Sequence, residues 1–208
     1  MANPAPITLG QLFRYWKNLP HQSAAIDELE KDLKANGYDA TMRRDRDWFK
    51  TWSQDGKQSN LTAAISIIKD FEGTYLTAYR CPAGVWTIGI GTTRYTDGTP
   101  VKQGDKITPV EADMMLRMEV DRIAATLGRQ VPYWPEMSDN QKSALISFAY
   151  NLGEHFYGAA GFTTITSALR DKRWDDVPRA MLLYRNPGSS FENGLKRRRI
   201  AEGKLWAA

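Results

Sequence analysis

The stretch EGTYLTAYRCPAGVWTIGIG, residues 72 to 91, carries a carboxylate, the only cysteine of the chain, three threonines and four glycines within twenty positions. It follows the run LTAAISIIKDF, in which apolar residues recur at helical spacing after Asn60, a residue that can cap a helix. Gly73 is expected to end this helix, because glycine tolerates the left-handed conformation just past a helix. Glu72 is therefore expected in the last turn, where its side chain can project over the helix end into a cleft.

The second half of the stretch predicts a strand, because large apolar residues alternate with small ones. The two faces consist of Trp86, Ile88 and Ile90, and of Thr87, Gly89 and Gly91. A strand with one nearly bare face suits a cleft wall that a ligand approaches closely. A turn at residues 96 to 98, TDG, predicts a return strand and so a small β lobe.

Helix signals dominate the chain beyond this predicted β lobe. Thr108 and Glu111 can form a capping box around Pro109, which opens a helix expected to end at Gly128. Further helices are predicted at about residues 138–153, 162–170, 174–184 and 195–206. One helix, a small sheet and then many helices indicate an α+β fold with a large helical lobe.

Residues 1–57 are predicted to form a separate small helical domain, followed by a second domain over residues 58–208. The polar, turn-rich stretch SQDGKQSN, residues 53 to 60, is the best linker candidate. A basic run from Arg43 to Arg46 precedes Trp48 and Trp52, which suits binding to an anionic glycan of a cell wall. The alternative is a helical brace packed on the second domain, since aromatic residues at helical spacing are usually core residues.

The composition limits the possible classes of protein. With 208 residues, 42% of them hydrophobic, the chain can bury one substantial core and a small second domain. A net charge of +4 favours an anionic partner, which can be nucleic acid, a membrane surface or an acidic polymer. The single cysteine cannot form an internal disulfide, and two histidines with one cysteine are too few for the usual structural zinc site.

The chain shows no pattern of a cleaved signal peptide or of a membrane-spanning segment. We therefore expect a soluble chain made in the cytoplasm. A target outside the cytoplasm would require another protein to let the chain out.

Glu72 is the strongest candidate for acid chemistry. It lies between Phe71 and a glycine and close to Tyr75 and Tyr79, so its carboxyl is expected to be partly withdrawn from water, which favours the protonated form. Glycoside hydrolysis uses such an acid to protonate the leaving oxygen. The alternative is a solvated surface charge, which a single glutamate at a helix end usually is.

Cys81 and Thr87 are candidates for the second group that glycoside hydrolysis needs. Cys81 lies in a polar loop, where a thiol can take part in the reaction; the alternative is an inert buried thiol. Thr87 lies on the bare face of the predicted strand and can hold a water by its hydroxyl. The alternative for Thr87 is the ordinary preference of threonine for strands.

Together these three residues form the pattern Glu-x8-Cys-x5-Thr, followed by Ile-Gly-Ile-Gly. This pattern resembles the catalytic region of the phage-type lysozymes, the muramidases of glycoside hydrolase family 24. The resemblance continues through residues 141–176 and 194–206 and covers roughly residues 60–208. It implies a lysozyme-like α+β fold, mainly α-helical, with a small β-hairpin lobe lining the cleft.

The resemblance also implies a function and roles for individual residues. The expected activity is that of an endolysin, or of a virion component, that hydrolyses the β-1,4 bond between N-acetylmuramic acid and N-acetylglucosamine in peptidoglycan. Glu72 takes the place of the general acid, Cys81 stands where the family usually has aspartate and sometimes cysteine, and Thr87 completes the triad by orienting water. Asn151 and Phe148, on the helix that matches the family's cleft helix, are expected to contact the saccharide. The resemblance implies a monomer without metal, cofactor, nucleic acid or membrane insertion.

Two residues depart from the usual pattern of the family. A thiol is a weaker base than a carboxylate, so the division of labour between Cys81 and Thr87 stays open, with Cys81 as base, nucleophile or positioner of water. Thr92 stands where many relatives carry histidine, which implies that a salt bridge found there in relatives is missing.

Other patterns point to different classes of protein but are weaker. Gly89-x-Gly91 lacks the third glycine of a dinucleotide fingerprint. The run from Lys196 to Arg199 can bind nucleic acid, but its helix has an apolar face, which favours a solvated or wall-facing patch. Arg198 and Arg199 match the family's paired arginines, which implies that they support the cleft. The competing function is that of a non-catalytic wall-binding protein with a lysozyme-like body.

Overall fold

In a computed structural model of the chain, the structure describes residues 61–81, 84–95 and 98–208. The predicted N-terminal domain, 1–57, and its linker lie outside these residues. The elements are α1 Thr62–Glu72, β1 Tyr75–Arg80, β2 Trp86–Gly89, α2 Pro109–Gln130, α3 Asp139–Leu152, α4 Thr163–Arg170, α5 Val177–Met181 and α6 Glu192–Ala207, with short 3-10 turns at Trp134–Glu136 and Trp174–Asp176. The order of one helix, a small sheet and then helices confirms the predicted α+β class.

Helix α1 ends where the sequence predicts but starts later. Gly73 has a φ of +73°, and its N–H donates to the carbonyl of Lys69 at 3.1 Å, so Glu72 is the last helical residue. Asn60, predicted to cap α1, lies outside the described residues; Leu61 occupies the cap position and offers no side-chain hydrogen bond. The apolar face of α1 is buried through Ala64, Ile67 and Ile68, which stabilises this helix.

The β lobe is a two-stranded antiparallel sheet whose second strand is shorter than predicted. Tyr79 pairs with Thr87, and a bulge separates this pair from the next one, Tyr75 with Gly89. The alternating pattern predicted through residue 91 is wrong beyond Gly89, which has a φ of +65° and ends the strand. The chain then turns tightly, because Ile88 and Thr92 exchange backbone hydrogen bonds at 2.8 and 3.0 Å.

Within the described residues, the return strand predicted after residue 98 is reduced to two isolated bridges, one between Arg94 and Pro100 and one between Thr77 of β1 and Lys106. The predicted turn falls partly on residues 96 and 97, which lie outside them. The uncharged Thr92 joins the rest of the loop through the backbone hydrogen bonds with Ile88.

Two capping boxes set the starts of the long helices, as predicted for the first of them. Thr108 and Glu111 cap α2, and Ser138 and Gln141 cap α3, each pair through reciprocal side-chain-to-backbone bonds. Helix α2 runs on to Gln130, past its predicted end at residue 128. The glycine there serves close packing instead, since a side chain on it would start 3.3 Å from the indole ring of Trp134.

Helix α3 lies at the centre of the helical lobe. All its residues from 143 to 149 are buried, and it packs against α1, α2 and α6. The C-terminal end of α1 therefore lies beside α3 and α6, which determines what surrounds Glu72. None of the helices in the described part of the chain is both long and apolar enough to cross a membrane.

Candidate active site

The carboxyl of Glu72 lies at the end of α1 and faces both α6 and the β lobe. Its Oε1 forms an ion pair with Nη1 of Arg198 at 2.5 Å, and 27% of the side chain is exposed. Its Oε2 lies 3.9 Å from where a side chain on Gly91 would begin, so the absence of a side chain there lets the β-lobe loop approach the carboxyl. Glu72 is thus partly exposed, as predicted, but it is ion-paired rather than isolated.

Besides Glu72, Arg198 is held by one group from α6 and one from α3. It is 4% exposed. Its Nε donates to Oε1 of Glu202 at 3.2 Å, and its Nη2 donates to the carbonyl of Ser147 at 3.2 Å. A guanidinium held in this way offers Glu72 a charge of defined position, which a flexible surface arginine would not.

The neighbouring Arg199 completes a buried charge cluster. It forms an ion pair with Glu202 at 3.0 Å and donates to Oδ1 of Asn151 at 3.0 Å. Burial lowers the pKa of Arg199 to about 10, although the charge of Glu202 opposes this. Arg199 is therefore still cationic at neutral pH. By contrast, Lys196 and Arg197 are exposed, so the basic run divides into a buried pair and a solvated pair.

Cys81 directly follows β1 in a short turn at the edge of the lobe. Its N–H donates to the carbonyl of Val85 at 3.0 Å, and its own carbonyl accepts from the N–H of Gly84 at 2.8 Å. The side chain is partly buried. The nearby Tyr79 has a raised pKa, first because of burial and then because of the charges of Tyr75, Glu72 and Cys81. Glu72 and Cys81 therefore both lie within electrostatic reach of this phenol.

Thr87 lies directly across the sheet from Tyr79, and paired residues of antiparallel strands point to the same face. Its side chain is 3% exposed, and its hydroxyl donates to the carbonyl of Val85 at 3.1 Å. The proton of this hydroxyl is thereby engaged, and the oxygen retains its capacity to accept. Thr87 is thus paired with the tyrosine whose pKa is raised in part by the charges of Glu72 and Cys81.

Tyr150 is a residue of the site that the sequence analysis did not find. Its hydroxyl donates a short hydrogen bond to the carbonyl of Ile90. A side chain on Gly91 would start 3.3 Å from the hydroxyl oxygen of Tyr150. Burial raises its pKa, and the charge of Glu72 adds to this effect, so the phenol keeps its proton. In the sequence, the glycine at position 91 indicates that another group packs closely there, but it does not identify Tyr150 as that group.

Tyr150 also borders an open cavity of about 460 Å³ between α2, α3 and the loop that follows α3. The cavity is lined by charged and apolar residues. Arg122 binds both Glu119 and Glu154, and the apolar lining includes Ile123 and Phe156. The cavity and the surroundings of Glu72 thus share one aromatic residue.

The two residues predicted to contact saccharide differ in their surroundings. Phe148 has no exposed surface and packs edge-on against Phe156 and Tyr184, with the guanidinium of Arg199 over its ring at 4.9 Å. The expectation of a saccharide contact is wrong for this side chain, because the core encloses it. Asn151 is partly exposed and accepts from Arg199, so its contact with saccharide stays a prediction.

Comparisons with known proteins agree on one family. The sequence model of the family described as phage lysozyme matches residues 69–202. The endolysin of Acyrthosiphon pisum secondary endosymbiont phage 1 is 35% identical over 102 residues, which are 49% of this chain and 62% of that protein. The endolysin of Salmonella phage P22 is 29% identical over 135 residues, 65% of this chain and 89% of that protein.

A solved structure extends this similarity to the fold. The endolysin from Escherichia coli O157:H7 phage FAHEc1 superposes with a TM-score of 0.61 at 30% identity, over 73% of this chain and 94% of that one. The match covers nearly all of the neighbour's chain.

Proposed function

The chain belongs to the phage lysozyme family, which makes it a glycoside hydrolase of peptidoglycan, and we propose that it is an endolysin cleaving the β-1,4 bond between N-acetylmuramic acid and N-acetylglucosamine. Glu72 is the general acid. This role is supported by the position of its carboxyl, which is partly exposed at the end of α1. One side of the carboxyl pairs with Arg198, and the backbone of Gly91 lies close to the other.

In the proposed reaction Glu72 gives its proton to the glycosidic oxygen as the bond from this oxygen to the anomeric carbon breaks. The leaving sugar thereby departs as a neutral alcohol, and positive charge develops on the ring that remains. Arg198 holds one carboxylate oxygen of Glu72, which leaves Oε2 to carry the proton. Because Gly91 has no side chain, space is left beside this oxygen.

Cys81 and Thr87 act on the other half of the reaction, in which the anomeric carbon gains an oxygen from water. Because the hydroxyl proton of Thr87 is engaged by Val85, Thr87 can orient a water only by accepting a hydrogen bond from it. As a thiolate, Cys81 is the group on this side that can take the proton of the attacking water or attack the anomeric carbon itself. This division of labour follows from the hydrogen bond of Thr87.

Replacing Glu72 with glutamine tests the acid role. An amide cannot donate the required proton, so Glu72→Gln should lower kcat by roughly 10²–10⁴-fold while binding to peptidoglycan is retained. The measurement is the release of reducing ends from purified peptidoglycan, with mass analysis of the fragments to identify the bond that is cut.

The matched control is Glu136→Gln, which makes the same change at an exposed glutamate paired with Lys172. It should keep wild-type turnover. Activity of Glu72→Gln within tenfold of the wild type would remove Glu72 from the acid role, and fragments cut at another bond would refute the proposed specificity.

Two further expectations concern the working form of the protein. We propose that it acts as a monomer and that a separate lysis protein releases it from the host cytoplasm to the wall. Both stay predictions from the sequence.

A further inference from the structure

Glu202 is a buried carboxylate that the proposed reaction does not use directly. It lies on α6, has no exposed surface, and accepts a hydrogen bond from the hydroxyl of Ser147 at 2.7 Å. Its Oε1 also accepts from Nε of Arg198 at 3.2 Å and from Nη2 of Arg199 at 3.2 Å. A glutamate is rarely buried to this extent unless it is paired, and here the pairing partners include the arginine that holds Glu72.

Among the groups around Glu202, the two buried arginines are the charged ones, so Glu202 is the counter-charge of two cations. Helix α3 contributes the neutral hydroxyl of Ser147, and α5, which packs on α6 from another side, carries only Arg179 as a charged residue, with its side chain exposed. Burial raises the pKa of Glu202, and the charges of Arg199 and Arg198 with the hydrogen bond from Ser147 only partly oppose this. Glu202 forms ion pairs with both arginines, so its ionised form is the one that balances the cluster.

Within the described residues, three groups interact with Glu72: Arg198 from α6, Tyr150 from α3 and Tyr79 from β1. Arg198 is the cation among them, so its charge has a large influence on Glu72. On α1 itself, the nearest cation along the chain is Lys69, which is paired with Asp113 of α2 at 2.6 Å.

We propose that Glu202 is a positioning residue for glycan cleavage, which holds Arg198 against Glu72 and offsets the excess positive charge of the arginine pair so that Glu72 can keep its proton. This inference rests on the proposed role of Glu72 as the acid. With Glu72 protonated, the cluster of Glu72, Glu202, Arg198 and Arg199 carries one net positive charge. Without the charge of Glu202 it would carry two, although Arg198, Arg199 and Glu202 are all buried.

The electrostatic consequence has a definite sign. A nearby cation favours the ionised form of a carboxyl group. Removing the charge of Glu202 strengthens the net positive field at Glu72, so the acid loses its proton at a lower pH. Removing the charge of Arg199 has the opposite effect. A role confined to holding the fold together would not give opposite signs for these two changes.

The test is the pH dependence of kcat/KM on purified peptidoglycan, whose alkaline limb reports the loss of the essential acid in the free enzyme. For Glu202→Gln we expect this limb to move to lower pH by about one unit, with turnover retained well below the limb. Glu192→Gln is the matched control, because it makes the same change on the same helix at a partly exposed pair with Arg185. It should leave the limb in place.

Arg199→Gln should move the alkaline limb to higher pH, and the charge-balanced double variant Arg199→Gln/Glu202→Gln should return it towards the wild-type position. These two variants also test the proposal if Glu202→Gln fails to fold. A folded Glu202→Gln whose limb stays at the wild-type pH would overturn the proposal, and so would shifts of the same sign for Glu202→Gln and Arg199→Gln. The separate Glu72→Gln experiment distinguishes this outcome from a failure of the acid role itself.

Discussion

At the scale of single residues, the position of Cys81 makes its chemistry testable. Its charge and that of Glu72 both contribute to the raised pKa of Tyr79. Its backbone N–H donates to the carbonyl of Val85, which closes the turn after β1. Its side chain is only partly buried, which allows a reagent to reach it in the folded protein. A part in the reaction and an inert core thiol therefore predict different results for such a reagent.

Alkylation of Cys81 in the folded protein should stop catalysis, because the adduct would occupy the space of the attacking water, and bound glycan should slow the labelling. Cys81→Asp should stay active and show an acid limb from the new carboxylate, whereas Cys81→Ala should be far weaker. The measurements are labelling rates by mass spectrometry, with and without glycan, beside the turnover of both variants. Labelling only on unfolding, together with near-normal turnover of Cys81→Ala, would establish the inert thiol.

At the scale of elements, the start of α2 positions the loop that approaches Glu72. A side chain on Gly89 would meet Ala112, in the first turns of α2, at 3.7 Å, so the strand end and the helix start are packed directly together. The helix start in turn depends on the capping box, in which Thr108 Oγ1 accepts from the N–H of Glu111 at 3.2 Å and Glu111 Oε2 accepts from the N–H of Thr108 at 2.6 Å.

Thr108→Ala should lower the free energy of unfolding by about 1 kcal/mol, since alanine cannot satisfy the N–H group at the helix start. Thr108→Ser should restore most of the loss. Urea unfolding measures both, and Thr164→Ala, at an exposed position of α4, is the matched control, expected to stay within about 0.5 kcal/mol of the wild type. An equal effect of the two alanine variants would show that the cap contributes nothing specific.

At the scale of the whole molecule, the open question is the role of residues 1–57, which lie outside the described residues. The prediction is that they bind peptidoglycan through the basic run before Trp48 and Trp52. The catalytically silent Glu72→Gln chain should be retained on purified peptidoglycan, and the same chain without residues 1–57 should be largely lost.

A sedimentation assay measures this retention, with Trp48→Ala/Trp52→Ala in the full chain as the control for the aromatic contribution. If the segment is instead a helical brace, the deletion should lower the melting temperature and leave retention unchanged. Either pattern decides between the two interpretations of the segment.

The sequence determined those features that depend on neighbours a few residues apart. The end of α1 at Gly73 and the capping box at Thr108 could be predicted because their hydrogen bonds close within one helical turn. The order of elements followed from the same local signals. The spacing of Glu72, Cys81 and Thr87 was equally readable, since a hairpin of this length returns its strands to one another.

Only the tertiary structure decided which side chains surround these residues. Arg198 meets Glu72 across 126 positions of the chain, and Ser147 of α3 donates to Glu202 across 55 positions. Helical periodicity predicts which face of a helix is buried, but it does not predict what the face packs against. For that reason Phe148, expected in the cleft, lies in the core, and Tyr150, which reaches the β lobe, was not found.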